Sequence, residues 1–311
     1  MHPAFSVIFF TVASGAGFGL FSLLFLADFF KLGGGFSREQ LLIGGLIAMG
    51  LVVFGLLSST FHLANPKNAW RAVNRFRTSW LSREGVFAIA FMPLALAYLL
   101  CIWFDVPLWL RETFGFLTAV LAWITVFSTG MIYACLKTIR QWNTPLVPAN
   151  YLALGYASGS LLLLLGAVVA GIDTTPYIAM SALIVSIAAV LKAIYYFWIR
   201  SPGLTPTINT ATGITRAKVK LLDTGHTHGT FLTQEFGFQI ARQQASLLKF
   251  VVFVLGFVLP GLMLVWVFQD GGQVAAIIAT LAGLGGAAVE RWLFFAEARH
   301  VVNLYHGAQR C

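Results

Sequence analysis

Apolar residues along this protein gather into eight long runs, covering roughly 4–27, 41–63, 85–104, 113–136, 150–171, 176–199, 245–268 and 273–296. Each is close to the ~20 residues that an α-helix needs to cross a bilayer. Backbone left open in lipid carries unpaired N–H and C=O groups at high cost, so runs of this length predict helices. The period-two alternation of a membrane β-barrel is missing. The predicted fold class is therefore all-α: a polytopic integral membrane protein, with a bundle of eight transmembrane helices as a single membrane domain over 1–311. Most connections are short. The exception, about 201–243, is polar and holds Pro202, Pro206, His226, His228 and Glu235. There is no sign of a second domain or of a clear internal repeat.

Composition agrees. Hydrophobic residues make up 59% and charged residues 10%, against about 25% charged in soluble domains, and the mean hydropathy is +0.83. That leaves too little polar surface to cover a soluble globule. No Lys or Arg precedes the first run, so it reads as a retained span and not as a cleaved secretory signal. Cys101 and Cys135 lie in apolar runs, Cys311 is the last residue, and no CxxC occurs. The cysteines thus offer no ligand set for zinc or an iron–sulfur cluster. Two runs are rich in glycine: Gly15 and Gly19 stand at small-xxx-small spacing in the first, and Gly283, Gly285 and Gly286 lie in the last. Such stretches let helices approach closely or leave room for a flat ring.

Charge assigns a side. With eight spans, both termini and the 2–3, 4–5 and 6–7 connections share one face. Only Lys31, Arg38 and Arg111 fall on the other, which leaves 17 of the 20 Lys and Arg on the first. The positive-inside rule then puts both termini in the cytoplasm. A basic face also suits an acidic partner or anionic lipid. Nothing in the basic loops matches a nucleic-acid-binding module, and no Walker A motif is present.

Candidate chemistry concentrates on that basic face. His62 closes the second run, Glu84 opens the third, and Lys67, Arg71, Arg75, Arg77 and Arg83 lie between them. Imidazole titrates near neutrality, and a carboxyl group at membrane depth can hold or relay a proton. The same pair could equally be structural, with His62 capping its span and Glu84 paired to Arg83 or another loop arginine. In the last run Glu290 and Glu297 are seven apart and share a helical face, with Arg291, Arg299 and His300 close by. They suit an intramembrane ion-pair network, or a proton path or pocket wall. His226 and His228 lack a third ligand nearby, so no metal site is expected. The histidines are His2, His62, His226, His228, His300 and His306. None lies mid-span, so no haem is expected.

The stretches MHPAFSVIFFT, FHL–NP–AW followed by SWLSREG, LTQEFGF–IAR and ERWLFFAEARH–V–LYHG resemble the membrane anchor subunits of the dimethyl sulfoxide reductase type, over the whole length. The resemblance implies eight spans, no haem, and a quinone (ubiquinone or menaquinone) held near one membrane face. It implies partners: an iron–sulfur subunit with four clusters, and a catalytic subunit with a molybdopterin guanine dinucleotide cofactor. The family's quinone-site histidine matches His62 and its acidic partner matches Glu84. Arg71 and Arg75 follow as loop residues at the pocket mouth or against the iron–sulfur partner. A cytoplasmic basic face fits the branch of cytoplasm-facing membrane-bound sulfite dehydrogenases, which the SWLSRE stretch resembles. The expectation is a bacterial inner-membrane subunit passing electrons from sulfite oxidation, through the iron–sulfur subunit, to quinone. The alternatives are a quinol-oxidising anchor of a dimethyl sulfoxide-type reductase and, from another class, a transporter or purely structural anchor.

Overall fold

The computed structural model describes residues 4–61, 65–200, 206–223 and 244–311. Among these residues, eight helices are long and apolar enough to cross a membrane: α1 Phe5–Phe29, α2 Arg38–Thr60, α3 Trp80–Trp103, α4 Leu108–Ala134, α5 Leu146–Ala170, α6 Thr175–Arg200, α7 Ala245–Phe268 and α8 Gly272–Ala296. Among the described residues the only β-pairing is two isolated bridges, Ile139 with His300 and Thr207 with Arg310. The protein is an all-α, multi-pass membrane protein.

Three helices begin ahead of their apolar runs for a visible local reason. At α2, Ser37 caps the first turn: its Oγ accepts from Gln40 N, and its own N–H donates to Gln40 Oε1 at 2.8 Å. This reciprocal pair satisfies two of the free donors that every helix start leaves. At α3, Ser79 Oγ accepts from Ser82 N at 3.4 Å, so the polar Ser-Arg-Glu turn is already helical. At α4, Arg111 sits in the first turn and pairs with Asp28 of α1.

Asp28 organises the face that carries few basic residues. It is buried, pairs with Lys31 at 2.9 Å as well as with Arg111, and accepts from the Tyr98 hydroxyl at 2.8 Å. The ends of α1 and α3 and the start of α4 are thereby tied together. Hydrogen bonds between membrane helices contribute about 1 kcal/mol each. Tyr98→Phe is therefore expected to lower the unfolding free energy in detergent by about 1 kcal/mol, read as a fall in melting temperature with no change in partner binding.

At the centre α1 crosses α5. Gly15 and Gly19 of α1 meet Gly155 and Gly159 of α5, and a Cβ added at Gly19 would stand 2.5 Å from the Gly155 carbonyl oxygen. Small-xxx-small spacing on both partners is what a backbone-to-backbone crossing requires. The space beside Gly19 is filled by the neighbouring helix, so the tight-packing alternative holds there. Gly286 of α8 presses in the same way on Gly256 of α7. Gly256 lies in a π-helical turn, Val254–Val258, just before Pro260. The proline ring would clash with the carbonyl four residues back, and the wider turn relieves it.

Candidate functional site

Glu84 sits in the second turn of α3, on the basic face, and is 5% exposed. It accepts a hydrogen bond from the Thr129 hydroxyl of α4 and joins no ion pair among the described residues. The loop arginine next to it goes elsewhere. Arg83 donates Nε to Phe76 O at 3.0 Å and Nη2 to Arg77 O at 2.8 Å, and its guanidinium covers the Trp80 ring at 4.2 Å. That clamp folds the 2–3 connection back onto the start of α3. The guanidinium is thus satisfied by loop backbone, and Glu84 faces the bundle.

The 2–3 connection holds a 3₁₀ segment, Pro66–Arg75. Arg71 and Arg75 are exposed on it, and Arg71 lies 5.6 Å from the centre of the Trp70 ring. Neither is brought to Glu84. Phe61, Trp70, Val73 and Phe76 are also exposed here, among the basic side chains. His62 lies outside the described residues, as do His226, His228 and the rest of 224–243.

Glu84 has aromatic surroundings. Tyr133 of α4 stands one turn beyond Thr129 on the same helical face, and it stacks on Tyr151 of α5 at 5.7 Å. One turn before Glu84, Trp80 meets Phe127 edge-on at 6.0 Å. Phe127 and Trp123, stacked at 5.7 Å, line a groove of about 520 Å³ between α4 and α5, together with Met131, Asn143, Pro148 and Leu152. An acid, a hydroxyl donor and an apolar, aromatic groove open to the lipid thus occur within a few turns of one another.

Glu290 and Glu297 form ion pairs. Lys192 of α6 and Glu290 of α8 pair inside the bundle, each 1% exposed. Arg291 Nε lies 3.3 Å from the other Glu290 oxygen, and Glu297 pairs with Lys249 of α7 at 2.6 Å. His300 follows α8 on the same face. Its Nδ1 accepts from Val302 N at 3.0 Å, and burial pushes its pKa below the usual value.

The model of the family described as "DMSO reductase anchor subunit (DmsC)" matches residues 1–296. The protein belongs to this family. Within it, the sequence is 33% identical to the C subunit of the sulfite dehydrogenase of Allochromatium vinosum, over 98% of its own length and 99% of that protein. It is also 28% identical to the C component of the anaerobic dimethyl sulfoxide reductase of Escherichia coli, over 47% of its length and 52% of that protein. As a member of this family it is a membrane anchor subunit of a reductase-type complex. The stretches around Glu84 and Glu290 make that membership legible in the sequence. Thr129, Tyr133 and Tyr151 carry no such signal. Lys192 carries no family signal either, and stands out in the sequence only as a lysine inside an otherwise apolar run.

Proposed function

We propose that the protein is the quinone-reactive anchor of a molybdenum/iron–sulfur oxidoreductase, exchanging electrons between an iron–sulfur partner subunit and quinone at a site that includes Glu84 and His62. The observation that carries this reading is Glu84 itself: a buried carboxyl group on the basic face, held by Thr129 and free of any cation among the described residues. A purely structural carboxylate at this depth would be expected to have a cation beside it.

The groove beside Trp123 and Phe127 suits a flat apolar headgroup arriving sideways from the lipid, since small-molecule sites are mostly apolar with a few fixed polar groups. A bound quinone would supply two-electron, two-proton chemistry. Glu84 would exchange a proton at a carbonyl oxygen, Thr129 would hold the carboxyl in place, and the surrounding aromatic rings would keep bulk water out. His62 would donate a hydrogen bond to a carbonyl oxygen.

The near-complete match to a sulfite dehydrogenase subunit supports sulfite as the electron donor of the assembled complex and a molybdopterin subunit as the catalytic partner. Charge supports the side. Setting aside the buried Lys192 and Arg291, 15 basic residues remain on the loop face against three on the other. By the positive-inside rule this face and both termini are cytoplasmic, in the inner membrane of a bacterium. The exposed Trp70, Val73 and Phe76 among loop arginines suit a protein partner on that side.

A fluorescent protein fused to the C-terminus is expected to fluoresce, and a phosphatase fused there to stay inactive. The complex is expected to reduce a short-chain ubiquinone with sulfite. An active phosphatase fusion would reverse the orientation and favour the quinol-oxidising alternative, which the half-length match to the dimethyl sulfoxide reductase component leaves as the second reading. Sulfite-linked dye reduction by the partners without any quinone reduction in the presence of this anchor would overturn the quinone assignment.

A further inference from the structure

A line of polar and aromatic side chains leads from the surface of the basic face towards Glu84. It starts at Lys249 and Glu297, whose side chains are 24% and 22% exposed. Lys249 Nζ lies 5.1 Å from the centre of the Tyr196 ring, and Lys192 Nζ lies 5.4 Å from the same ring and 4.5 Å from that of Tyr195. Lys192 donates to Glu290, and Glu290 pairs with Arg291. The Arg291 guanidinium covers the Tyr151 ring at 3.6 Å, Tyr151 stacks on Tyr133, and Tyr133 follows Thr129, the hydroxyl donor to Glu84, by one turn on the same face of α4. Every helix from α3 to α8 contributes to the line, while α1 and α2 stand outside it.

The line is not a self-contained lock. Two cations, Lys192 and Arg291, share one carboxylate, Glu290, and all three are almost fully buried. Among the described residues Arg291 Nη1 and Nη2, Glu290 Oε2, Tyr151 Oη and Tyr196 Oη have no hydrogen bond of ordinary geometry. Buried polar atoms are costly when left dry, and an internal water commonly satisfies about three of them. These atoms are spaced along the line, so water held by them would join its side chains. A structural pair would also be better served by arginine, which keeps its proton and bonds a carboxylate in two places; lysine is the cation that can give its proton up.

We propose that this cluster is the proton route between the basic face and Glu84, with Lys192 as its exchangeable site. The inference rests on the quinone reading of Glu84. Reducing one quinone to its quinol takes two electrons, supplied by the iron–sulfur partner, and two protons, one for each carbonyl oxygen. A proton given up at Glu84 is replaced from the Lys192 ammonium through water held by Arg291 and Tyr151. Lys192, left as a neutral amine beside Glu290, regains a proton from bulk water past Tyr196 and the Lys249–Glu297 pair. Quinol oxidation would run the same route outward. Lys192 is a positioning and relay residue: it acts through Glu84 and touches neither quinone nor an electron carrier.

The test compares Lys192→Arg and Lys192→Met in the complete complex. Arginine keeps the charge and the pair with Glu290 but cannot release a proton at working pH; methionine leaves Glu290 and Arg291 as a neutral pair. The first readout needs no quinone. The carbonyl stretch of protonated Glu84, identified by its loss in Glu84→Gln, is followed by infrared spectroscopy after transfer to D₂O. Exchange is expected to slow about tenfold or more in both variants, while assembly and dye-linked oxidation stay at wild-type levels. Quinone-linked turnover is expected to fall about tenfold or more, with a larger solvent isotope effect. If Lys192→Arg exchanges Glu84 and turns over quinone at wild-type rates, the cluster is structural and the proposal is overturned. Should Lys192→Met fail to assemble, Lys192→Arg alone decides the matter. A Glu84→Gln complex that keeps full quinone-linked activity would overturn the quinone site instead, and the exchange measurement would still report on the route.

Discussion

Replacing Glu84 by Gln is expected to lower quinone-linked turnover by about 100-fold or more while leaving dye-linked oxidation by the partner subunits unchanged. A positioned acid–base group contributes about 10²- to 10⁴-fold, and the lower figure corresponds to about 2.7 kcal/mol of barrier. Glutamine has the same shape and can still accept from the Thr129 hydroxyl, so the packing of α3 on α4 should survive. What it cannot do is exchange a proton. His62→Ala is expected to act in the same direction, by removing a donor to a carbonyl oxygen. The measurement is the ratio of quinone-linked to dye-linked rates in the purified complex. Full quinone-linked activity in both variants would remove the site from this end of α3.

Gly159→Leu is expected to abolish stable protein. A Cβ at this position would overlap Leu20 N and stand 2.5 Å from the Gly19 carbonyl carbon. Both are backbone atoms of α1, which cannot turn aside as a flexible side chain can. Inserting bulk into a packed core costs about 1–3 kcal/mol even where side chains can adjust, and here α1 and α5 would have to separate. Because α1 also packs on α2, α4 and α8, the damage would spread through the bundle. Gly166→Ala in the same helix is the control. Nothing lies within 4 Å of its added Cβ, and alanine favours a helix over glycine by about 1 kcal/mol. Size-exclusion profiles in mild detergent separate the outcomes. A monodisperse Gly159→Leu protein would mean that the α1–α5 crossing is looser than its geometry.

The eight spans are legible in the sequence because lipid imposes one length scale on apolar runs. Their edges are less so, since hydropathy ends where charge begins and helices do not. Arg111 lies in the first turn of α4, outside the apolar run, because Asp28 on another helix takes its charge. Ser79 starts α3 ahead of its first long apolar stretch for a similarly local reason. Glu84 stands out in the sequence as an acid at a span boundary, yet Arg83 beside it looks like a ready partner. Only the geometry shows that guanidinium bound to the Phe76 and Arg77 carbonyls. Glu290 and Glu297 point to an ion-pair network, but not to their partners: Lys192 and Lys249 are far away in sequence. Thr129, Tyr133 and Tyr151 look like ordinary span residues, and only the packing of α4 against α3 and α5 gives them a role. The fold follows from composition and run length, whereas pairings between distant spans do not.

The Lys192–Glu290 pair has a consequence for how the protein is made. The two residues are 98 positions apart, so α6 emerges from the ribosome well before α8. At about 5–20 residues per second, the interval is roughly 5–20 s. During that time Lys192 has no carboxylate from α8 to meet. A lysine at the middle of a span costs about 2.5–3.5 kcal/mol on insertion, and Lys192, eight residues from the end of α6, is about 12 Å below that end. Until the last span arrives, α6 has to be kept at the insertion machinery or ride shallow with its amine drawn up to the headgroups. Completion of the bundle is thus tied to synthesis of its final helix, and a truncated polypeptide would leave α6 carrying a charge that the membrane does not readily accept.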